Sequence, residues 1–310
     1  MLKNSIKVLL SNLGLIWKSL LYKLTSLIIS LGLSSCLFVP IITNLAKGGF
    51  FGELNKTFND LVFNVKLDSL YYGIKNLVIK FWNIVSSNNQ IALLILGLIL
   101  FLVIYYFLNG LLKNAVTGSI VTYMSSYAKT TFFGNYLSGL KRSSLLSLIR
   151  VAVGVPINII IMTISTLILI NMESTISLGI FLTLVFAIVS ISIKNTLLAG
   201  YETAVYIHNY TLLECLKKST KILKSKFMRI FSDNIFITLF IFVLDFIMLI
   251  FTVGGGLLIT IPATLVFSAS YNSVVYFDTN GMRYYLDSNN IFTPKKLEEK
   301  DSFKKVKDII

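Results

Sequence analysis

Polar residues that could do chemistry are few in this sequence, and the clearest of them lies inside a long apolar run. Asp245 is the one ionisable residue well inside such a run, and an ionisable group within a membrane-spanning segment is a functional candidate. It lies about 20 Å from the start of its run at 1.5 Å per residue, a depth at which Thr260 and Thr166 could hydrogen-bond it. A neutral Asp245 would stabilise helix packing, whereas an ionised one facing water would bind protons or cations. We favour the structural role, or a place in an outer vestibule, over a transport site.

Enzymatic motifs are not found in the sequence. His208 is the only histidine, and no cluster of Cys, His or acidic residues has the spacing of metal ligands. There is no phosphate-binding P-loop, no nucleophile elbow and no zinc-protease motif. His208 could form a small polar group with Glu202 and Glu214, although a solvated loop histidine is the simpler interpretation. We therefore predict no catalytic residue, no cofactor and no metal site.

The composition is that of a membrane protein. Apolar residues make up 55% of the 310 residues and charged residues 14%, and the mean hydropathy is +0.79. Soluble domains carry about 25% charged residues. The net charge of +14 could indicate nucleic-acid binding, but the basic residues stand between apolar runs instead of on a separate soluble domain. We therefore predict membrane lipids as partners, and no nucleic acid.

Six apolar runs of about 20 residues have the length that crosses a hydrocarbon core of about 30 Å. The runs are 24–46, 91–112, 148–170, 176–196, 231–252 and 255–277. Of the 28 Lys and Arg residues, 23 lie on one side of this array and 5 lie in the connection between the first two runs. Because basic residues accumulate on the cytoplasmic side, both chain ends are predicted to be cytoplasmic.

A unit of about 80 residues is predicted to repeat within a membrane domain 1–277, over residues 1–130, 131–208 and 209–277. Each unit would be a helical hairpin preceded by an amphipathic interfacial helix, which gives an all-α membrane protein with six transmembrane helices. Anionic headgroups on the cytoplasmic side would attract the basic faces of these helices. An alternative is that any six-span protein needs basic lead-ins, without a repeat. The candidate interfacial anchors are Trp17, Trp82, Lys141, Arg142, Lys217 and Lys218.

A short motif near the end of each even-numbered run supports the repeat. The matching segments are Lys113-Asn114 with Gly118, Lys194-Asn195 with Gly200, and Tyr271-Asn272 at the third place. Lys194 would lie a few Å from the inner face of the membrane, so its long side chain is predicted to reach cytoplasmic water.

Two segments outside the runs have signals of their own. Residues 47–90 carry apolar residues at helical period, which predicts a shorter and a longer helix. We favour helices lying on the outer leaflet over a lid or a docking surface for a partner. In the basic tail 278–310, Asn280-Gly281 predicts either a hairpin turn or the end of the sixth helix. Thr293-Pro294 predicts the start of a further helix.

The segment Leu197–Ile241 contains Glu202-Thr203-Ala204 and then the basic stretch 216–224 before an apolar run. In this pattern it resembles a loose group of bacterial six-helix membrane proteins of unassigned function, and is similar to the membrane domain of some glycerophosphodiester phosphodiesterases. The chain has no phosphodiesterase domain, so the resemblance implies neither a catalytic activity nor any site residue. The resemblance implies a bacterial cytoplasmic membrane, and the ratio of 24 Lys to 4 Arg fits an AT-rich genome.

Three functions are compatible with these features. We favour a non-enzymatic scaffold or accessory factor in a membrane process, acting through lipid or partner contacts at its amphipathic helices. The rival is a small-solute or lipid transporter with its path between the hairpins, and a lipid-modifying enzyme ranks third. A wet cavity reaching Asp245 would favour transport, whereas a closely packed bundle with exposed interfacial helices would favour the scaffold.

Overall fold

The fold, given by a computed structural model, is almost entirely helical. The structure describes residues 1–63, 67–128, 131–172, 176–207, 212–252, 254–287 and 290–293. The elements are α1 (Leu2–Ser11), α2 (Gly14–Lys47), α3 (Phe50–Phe63), α4 (Leu67–Ser87), α5 (Ile91–Ser126), α6 (Phe132–Ser138), α7 (Leu140–Asn171), α8 (Ile176–Leu197), α9 (Tyr201–Ile207), α10 (Leu212–Phe251), α11 (Leu257–Thr279), β1 (Tyr284–Asp287) and β2 (Asn290–Phe292).

Six helical segments are long and apolar enough to cross a membrane. They are Gly14–Lys47, Ile91–Ser126, Leu140–Asn171, Ser177–Ile207, Lys226–Phe251 and Leu257–Thr279. Each contains one of the six predicted apolar runs or most of it, because a run of that length satisfies its backbone polar groups in lipid only as a helix. The segments indicate a multi-pass membrane protein, which confirms the predicted class. The direction of threading stays a prediction.

Several of these helices extend well beyond their apolar runs. α5 continues to Ser126, about 20 Å past the predicted end at Leu112 at 1.5 Å per residue. Its second part is not exposed to lipid, since nearly every side chain from Leu111 to Met124 is buried within the protein. Hydropathy predicted the start of this helix but not its end. The second part is covered by protein instead of lipid, so it does not need a continuous run of apolar residues.

The lead-in segments differ in detail from the expected separate helices. The first is divided between α1 and the opening turns of α2, which contain Trp17. Most of the second is the start of α7, while α6 covers only Phe132–Ser138. The third joins the fifth span in α10, with a break in helical geometry at Lys226 (φ −141°, ψ 25°). Their placement at a membrane interface stays a prediction.

Two compact units make up the chain. The first comprises Met1–Lys23, Asn109–Leu148 and Ile188–Ile310, and the second comprises Leu24–Leu108 and Ile149–Ala187. The core of the first unit is built mainly on the second part of α5 and on α11, whose residues from Ala269 to Phe277 are all buried. This density of buried side chains is that of a protein interior and not of a lipid-facing surface.

A two-stranded sheet and α1 close one end of the first unit. β1 pairs antiparallel with β2, with Tyr284 opposite Phe292. The sixth span ends at Thr279 with Asn280 as its C-cap, and Gly281 follows with φ +66°, a conformation that favours glycine. Asn280-Gly281 therefore ends the helix, and the hairpin predicted at this point forms further along. The fold-class prediction of an all-α protein needs this small correction. The helix predicted from Pro294 lies outside the described residues.

α1 packs against α11 and β1. Ser5 and Val8 are fully buried, whereas Ile6, Leu10 and Leu13 are exposed. Leu2 and Leu9 are partly buried against the core of the first unit, so the apolar side of α1 is packed in part and exposed in part.

Tyr284 fixes α1 to the hairpin. Its phenol donates to Asp278 Oδ1 (2.8 Å) and accepts from Asn4 Nδ2 (2.9 Å). Burial and the nearby Asp278 carboxylate raise the pKa of the Tyr284 phenol above its ordinary value, so the hydroxyl stays protonated and can donate. A hydroxyl that both donates and accepts here links three elements with two hydrogen bonds.

Tyr284→Phe is expected to loosen α1 without unfolding the chain. Loss of the two hydrogen bonds should lower the free energy that holds α1 in place by about 1 to 3 kcal/mol. Hydrogen exchange of residues 2–11 should therefore quicken by about tenfold, since 1.4 kcal/mol is a factor of ten. Tyr285→Phe is the matched control, because its ring contacts Tyr127 on a different side of β1. Equal exchange of α1 in both variants would contradict this account of the contact.

The second unit contains a hairpin of helices, α3 and α4, between the first two spans. Ile41 and Leu45 of α2 and Val85 of α4 form its buried apolar cluster. The two predicted helices between residues 47 and 90 are therefore present, although their place on a leaflet is not tested.

The first two spans also pack closely within the second unit. A Cβ on Gly97 of α5 would lie 3.0 Å from the ring of Phe38 of α2, which shows how closely the two helices approach.

Candidate functional site

A buried carboxylate in the first turn of α9 is the centre of the candidate site. Glu202 is 3% exposed and lies 2.8 Å from Lys113 Nζ of α5, whose side chain is 27% exposed. The hydroxyl of Thr117, one turn further along α5, shares its proton between the Lys113 carbonyl at 2.9 Å and the other carboxylate oxygen at 3.3 Å. The two oxygens of Glu202 are thus engaged by one cation and one hydroxyl of the same helix.

The local backbone explains why this carboxylate is buried. Gly200 precedes α9 with φ +75°, a conformation that L-residues with side chains rarely adopt. The resulting turn sends α9 back against α5. At the contact, a Cβ on Gly118 would lie 2.7 Å from the Tyr206 ring. The two glycines of the predicted repeat motif therefore have different roles, one in a turn and one in a close helix contact.

The two Lys-Asn segments of the repeat motif differ in their contacts. Lys113 pairs with Glu202, whereas Lys194 of α8 is half-buried and its charge repels that of Lys113. That the side chain of Lys194 reaches cytoplasmic water stays a prediction. At the third place Tyr271 donates instead to Asp233 of α10 (3.1 Å).

A second set of bonds ties α7 to the same cluster. Asn114 Nδ2 donates to the Ser143 carbonyl (3.2 Å), and the Ser143 hydroxyl lies 3.3 Å from the Tyr206 hydroxyl. Arg142 Nη1 donates to the Val205 carbonyl near the end of α9 (3.2 Å), where a cation complements the helix dipole. Arg142 is therefore a structural contact in addition to any interfacial role, whereas Lys141 is exposed.

Hydroxyl and amide side chains connect the remaining helices of the first unit. Asn234 Nδ2 of α10 donates to Thr196 Oγ1 of α8 (2.9 Å). Thr203 of α9 and Ser273 of α11 lie 3.2 Å apart. Such buried pairs bind helices together where no water competes. The interior of the unit is in this way a network of helix-to-helix polar contacts.

Asp245 does not form the hydrogen bonds expected for it, since its Oδ1 is buried and makes none with the described residues. Its charge interacts with that of Lys23 in α2. Thr260 Oγ1 is buried and, among the described residues, makes no hydrogen bond, so the expected bond to Asp245 is not formed. Thr166 belongs to the second unit and is exposed, and its hydroxyl donates to its own helix at the Met162 carbonyl. Sequence reasoning missed Lys23 because it was counted with the basic lead-in, although it lies nine residues inside α2.

The other predicted positions are on the surface. Trp17 and Trp82 are 62% and 52% exposed, and Lys217 is exposed as well. The side chain of Lys218 and the whole of His208 lie outside the described residues. Within the described part of the chain, no three His, Cys, Asp or Glu side chains are grouped so as to hold a metal ion. Neither cysteine is in a disulfide, and Cys36 is exposed while Cys215 is buried.

Comparison with protein-family models, curated proteins and solved structures gives no match for the chain. The similarity to phosphodiesterase membrane domains therefore stays a prediction. Function has to be inferred from the charges, contacts and surfaces of the chain itself.

Proposed function

We propose that the protein is a non-enzymatic integral membrane protein that acts as a scaffold or accessory factor in a membrane process. The observation that carries the proposal is the internal use of the buried polar groups. Glu202, the most buried carboxylate described, binds Lys113 and Thr117 instead of lining an open path. A network of this kind favours one fixed arrangement of helices, which suits a platform for other molecules.

The surface through which such a platform would act is the free side of α1 and of the start of α2. It consists of exposed apolar residues with lysines beside them: Ile6, Leu10, Leu13, Trp17, Lys3 and Lys18. In the proposed orientation, this surface faces the cytoplasmic leaflet of a bacterial cytoplasmic membrane. Anionic headgroups attract lysines there and the apolar residues enter the interface. A protein partner could bind the same surface.

Photo-crosslinking in intact cells tests this proposal. A photoreactive amino acid at Leu10 or Trp17 is expected to give a protein adduct of one discrete size. The same amino acid at Ile99, which is exposed on α5 in the second unit, is the matched control and should give lipid adducts alone. Lipid adducts alone at all three positions would contradict a partner-binding scaffold.

A transporter remains the second candidate, and the opposite charges of Lys23 and Asp245 favour it. Charged residues within membrane segments often mark proton or ion pathways. If transport is the function, Asp245→Asn should abolish a flux that the native protein supports in proteoliposomes with a pH-sensitive dye inside. The scaffold proposal expects that no flux depends on Asp245, and that the variant binds its partner as the native protein does.

A further inference from the structure

The α3–α4 hairpin of the second unit has two sides of opposite character. One side is a polar groove, lined by charged and amide side chains from both helices: Glu53, Lys56, Asp60, Asn76, Lys80 and Asn83. The other side, which we call the apolar face, consists of exposed large apolar side chains: Phe51, Leu54, Phe58, Ile74, Val78 and Trp82. Each helix contributes three residues to this face, so the hairpin as a whole is amphipathic.

The spacing of the residues along each helix separates the two sides. Val78 and Lys80 of α4 are about 160° apart around the helix axis at 3.6 residues per turn. Phe58 and Asp60 of α3 are related in the same way. On the groove side the helices are joined by an ion pair, in which Lys80 Nζ lies 2.8 Å from Glu53 Oε1. The apolar residues are therefore turned away from the charged groups that join the two helices.

The apolar face continues into the contact between the hairpin and the first membrane span. Val85 follows Val78 by seven residues, close to two turns, and so lies on the same side of α4. It is fully buried in a cluster with Ile41 and Leu45 of α2, which are in the last two turns of a membrane-length helix. The side of α4 that packs on the span at Val85 is thus the side that is exposed further along the helix.

Short connections hold the hairpin at the ends of two membrane-length helices. Two residues separate α2 from α3, and three separate α4 from α5. The backbone turns within each connection at a residue of positive φ, Gly49 (+71°) and Asn89 (+51°). Because three residues span at most about 10 Å, both ends of the hairpin stay close to the place where the spans leave the bilayer.

We propose that the apolar face of the α3–α4 hairpin docks on the lipid surface beside α2, with the polar groove turned toward water. The face continues a surface that is already in contact with a membrane span, and it carries Trp82 and two phenylalanines, residues suited to the interface. The carboxylates of Glu53 and Asp60 lie on the groove side, away from the headgroup phosphates. Burial of apolar area therefore drives the docking. The proposal does not depend on the scaffold function, which concerns α1 and the start of α2.

The fluorescence of Trp82 in nanodiscs that each hold one full-length chain tests the proposal. The chain has two tryptophans, so Trp17→Phe leaves Trp82 as the only one. Lipids brominated high on the acyl chain quench a tryptophan that is in contact with them, whereas acrylamide quenches from water. The apolar side of an interfacial helix enters about 5 to 10 Å into the boundary between headgroups and acyl chains. Trp82 should therefore be quenched by the brominated lipid and protected from acrylamide.

Moving the tryptophan by one residue provides the matched control. In the variant Trp17→Phe, Trp82→Phe, Asn83→Trp, the only tryptophan is turned by about 100° around α4, to a position that lines the groove. It should be quenched by acrylamide and protected from the brominated lipid.

A charge placed on the apolar face should reverse the result for Trp82. Val78 is 61% exposed, so Val78→Asp, made in the Trp17→Phe background, is compatible with the fold. The carboxylate opposes docking on lipid, and the variant should lose the quenching by brominated lipid and gain quenching by acrylamide. Asn76→Asp adds the same charge on the groove side and should leave the quenching of Trp82 unchanged.

Two results would overturn the proposal. Equal quenching of the tryptophans at positions 82 and 83 by acrylamide would mean that the hairpin stands away from the bilayer with both sides in water. Protection of Trp82 from both quenchers would mean that protein, and not lipid, covers the apolar face.

Discussion

Lys113→Met is expected to be the most destabilising single substitution in the first unit. It removes the ammonium group 2.8 Å from Glu202 and leaves the carboxylate in its buried position. Breaking a buried ion pair from one side costs about 3 to 5 kcal/mol. Because Lys113 is partly exposed, we expect a loss near the lower end, about 3 kcal/mol. The loss in free energy of unfolding can be measured by unfolding the protein in mixed detergent micelles and monitoring its circular dichroism.

The two partners of this pair should not behave alike. Glu202→Gln leaves a lysine that can turn toward water and an amide that can still bond Thr117, so its cost should be smaller, about 1 to 2 kcal/mol. In the double variant Lys113→Met, Glu202→Gln, no buried charge of the pair remains, and the double loss should be smaller than that of Lys113→Met alone. Equal losses in the two single variants, or a double variant as unstable as their sum, would contradict a buried ion pair at this site.

Gly110→Ala is expected to disturb the packing of α5 on α7. A Cβ at position 110 would lie 2.5 Å from Ser147 Oγ and 3.1 Å from Ser147 Cα. A flexible side chain could move aside, but the Cα belongs to the backbone of α7, so the helices have to separate. Overpacking of this kind costs about 1 to 3 kcal/mol, and we expect about 2 kcal/mol in the same unfolding measurement.

A second glycine provides the matched control. Gly154 also lies in a membrane-length helix, and a Cβ there would meet nothing within 4 Å. Gly154→Ala should therefore leave the free energy of unfolding unchanged, or raise it by up to about 1 kcal/mol because alanine has the higher helix propensity. Ser147→Gly removes the Oγ and Cβ atoms that a Cβ at position 110 would meet at 2.5 and 2.8 Å, but it keeps the Cα, so it should restore part of the stability lost in Gly110→Ala. If Gly110→Ala is as stable as Gly154→Ala, the close contact between α5 and α7 is not present.

The six membrane-length helices could be predicted from the sequence because their signal is local. Twenty apolar residues in a row leave few alternatives to a helix in lipid, and the break at Gly281 also followed from a local rule. The full extent of α5 could not be predicted in this way. Its second half is covered by protein, and burial by protein is a property of distant segments and not of the run itself.

The candidate site was predicted only in fragments. The Lys113-Asn114 and Lys194-Asn195 motifs are similar in sequence, but the similarity does not predict that Lys113 pairs with Glu202. Glu202 itself was noted only beside His208 and in the family resemblance. Ion pairs between segments far apart in the chain leave no periodic pattern. The charge interaction between Lys23 and Asp245 could not be predicted either, since the depth of each residue was estimated along its own helix alone.

Thiol labelling in intact bacterial cells tests the membrane topology, on which every other proposal depends. With Cys36 and Cys215 replaced by serine, a single cysteine is placed at Asn88 or at Asn290, both exposed positions. A maleimide that cannot cross membranes is expected to label position 88 in intact cells and position 290 only after the membrane is opened. Labelling of position 290 in intact cells, or recovery of the chain in solution without detergent, would contradict six spans with both ends in the cytoplasm.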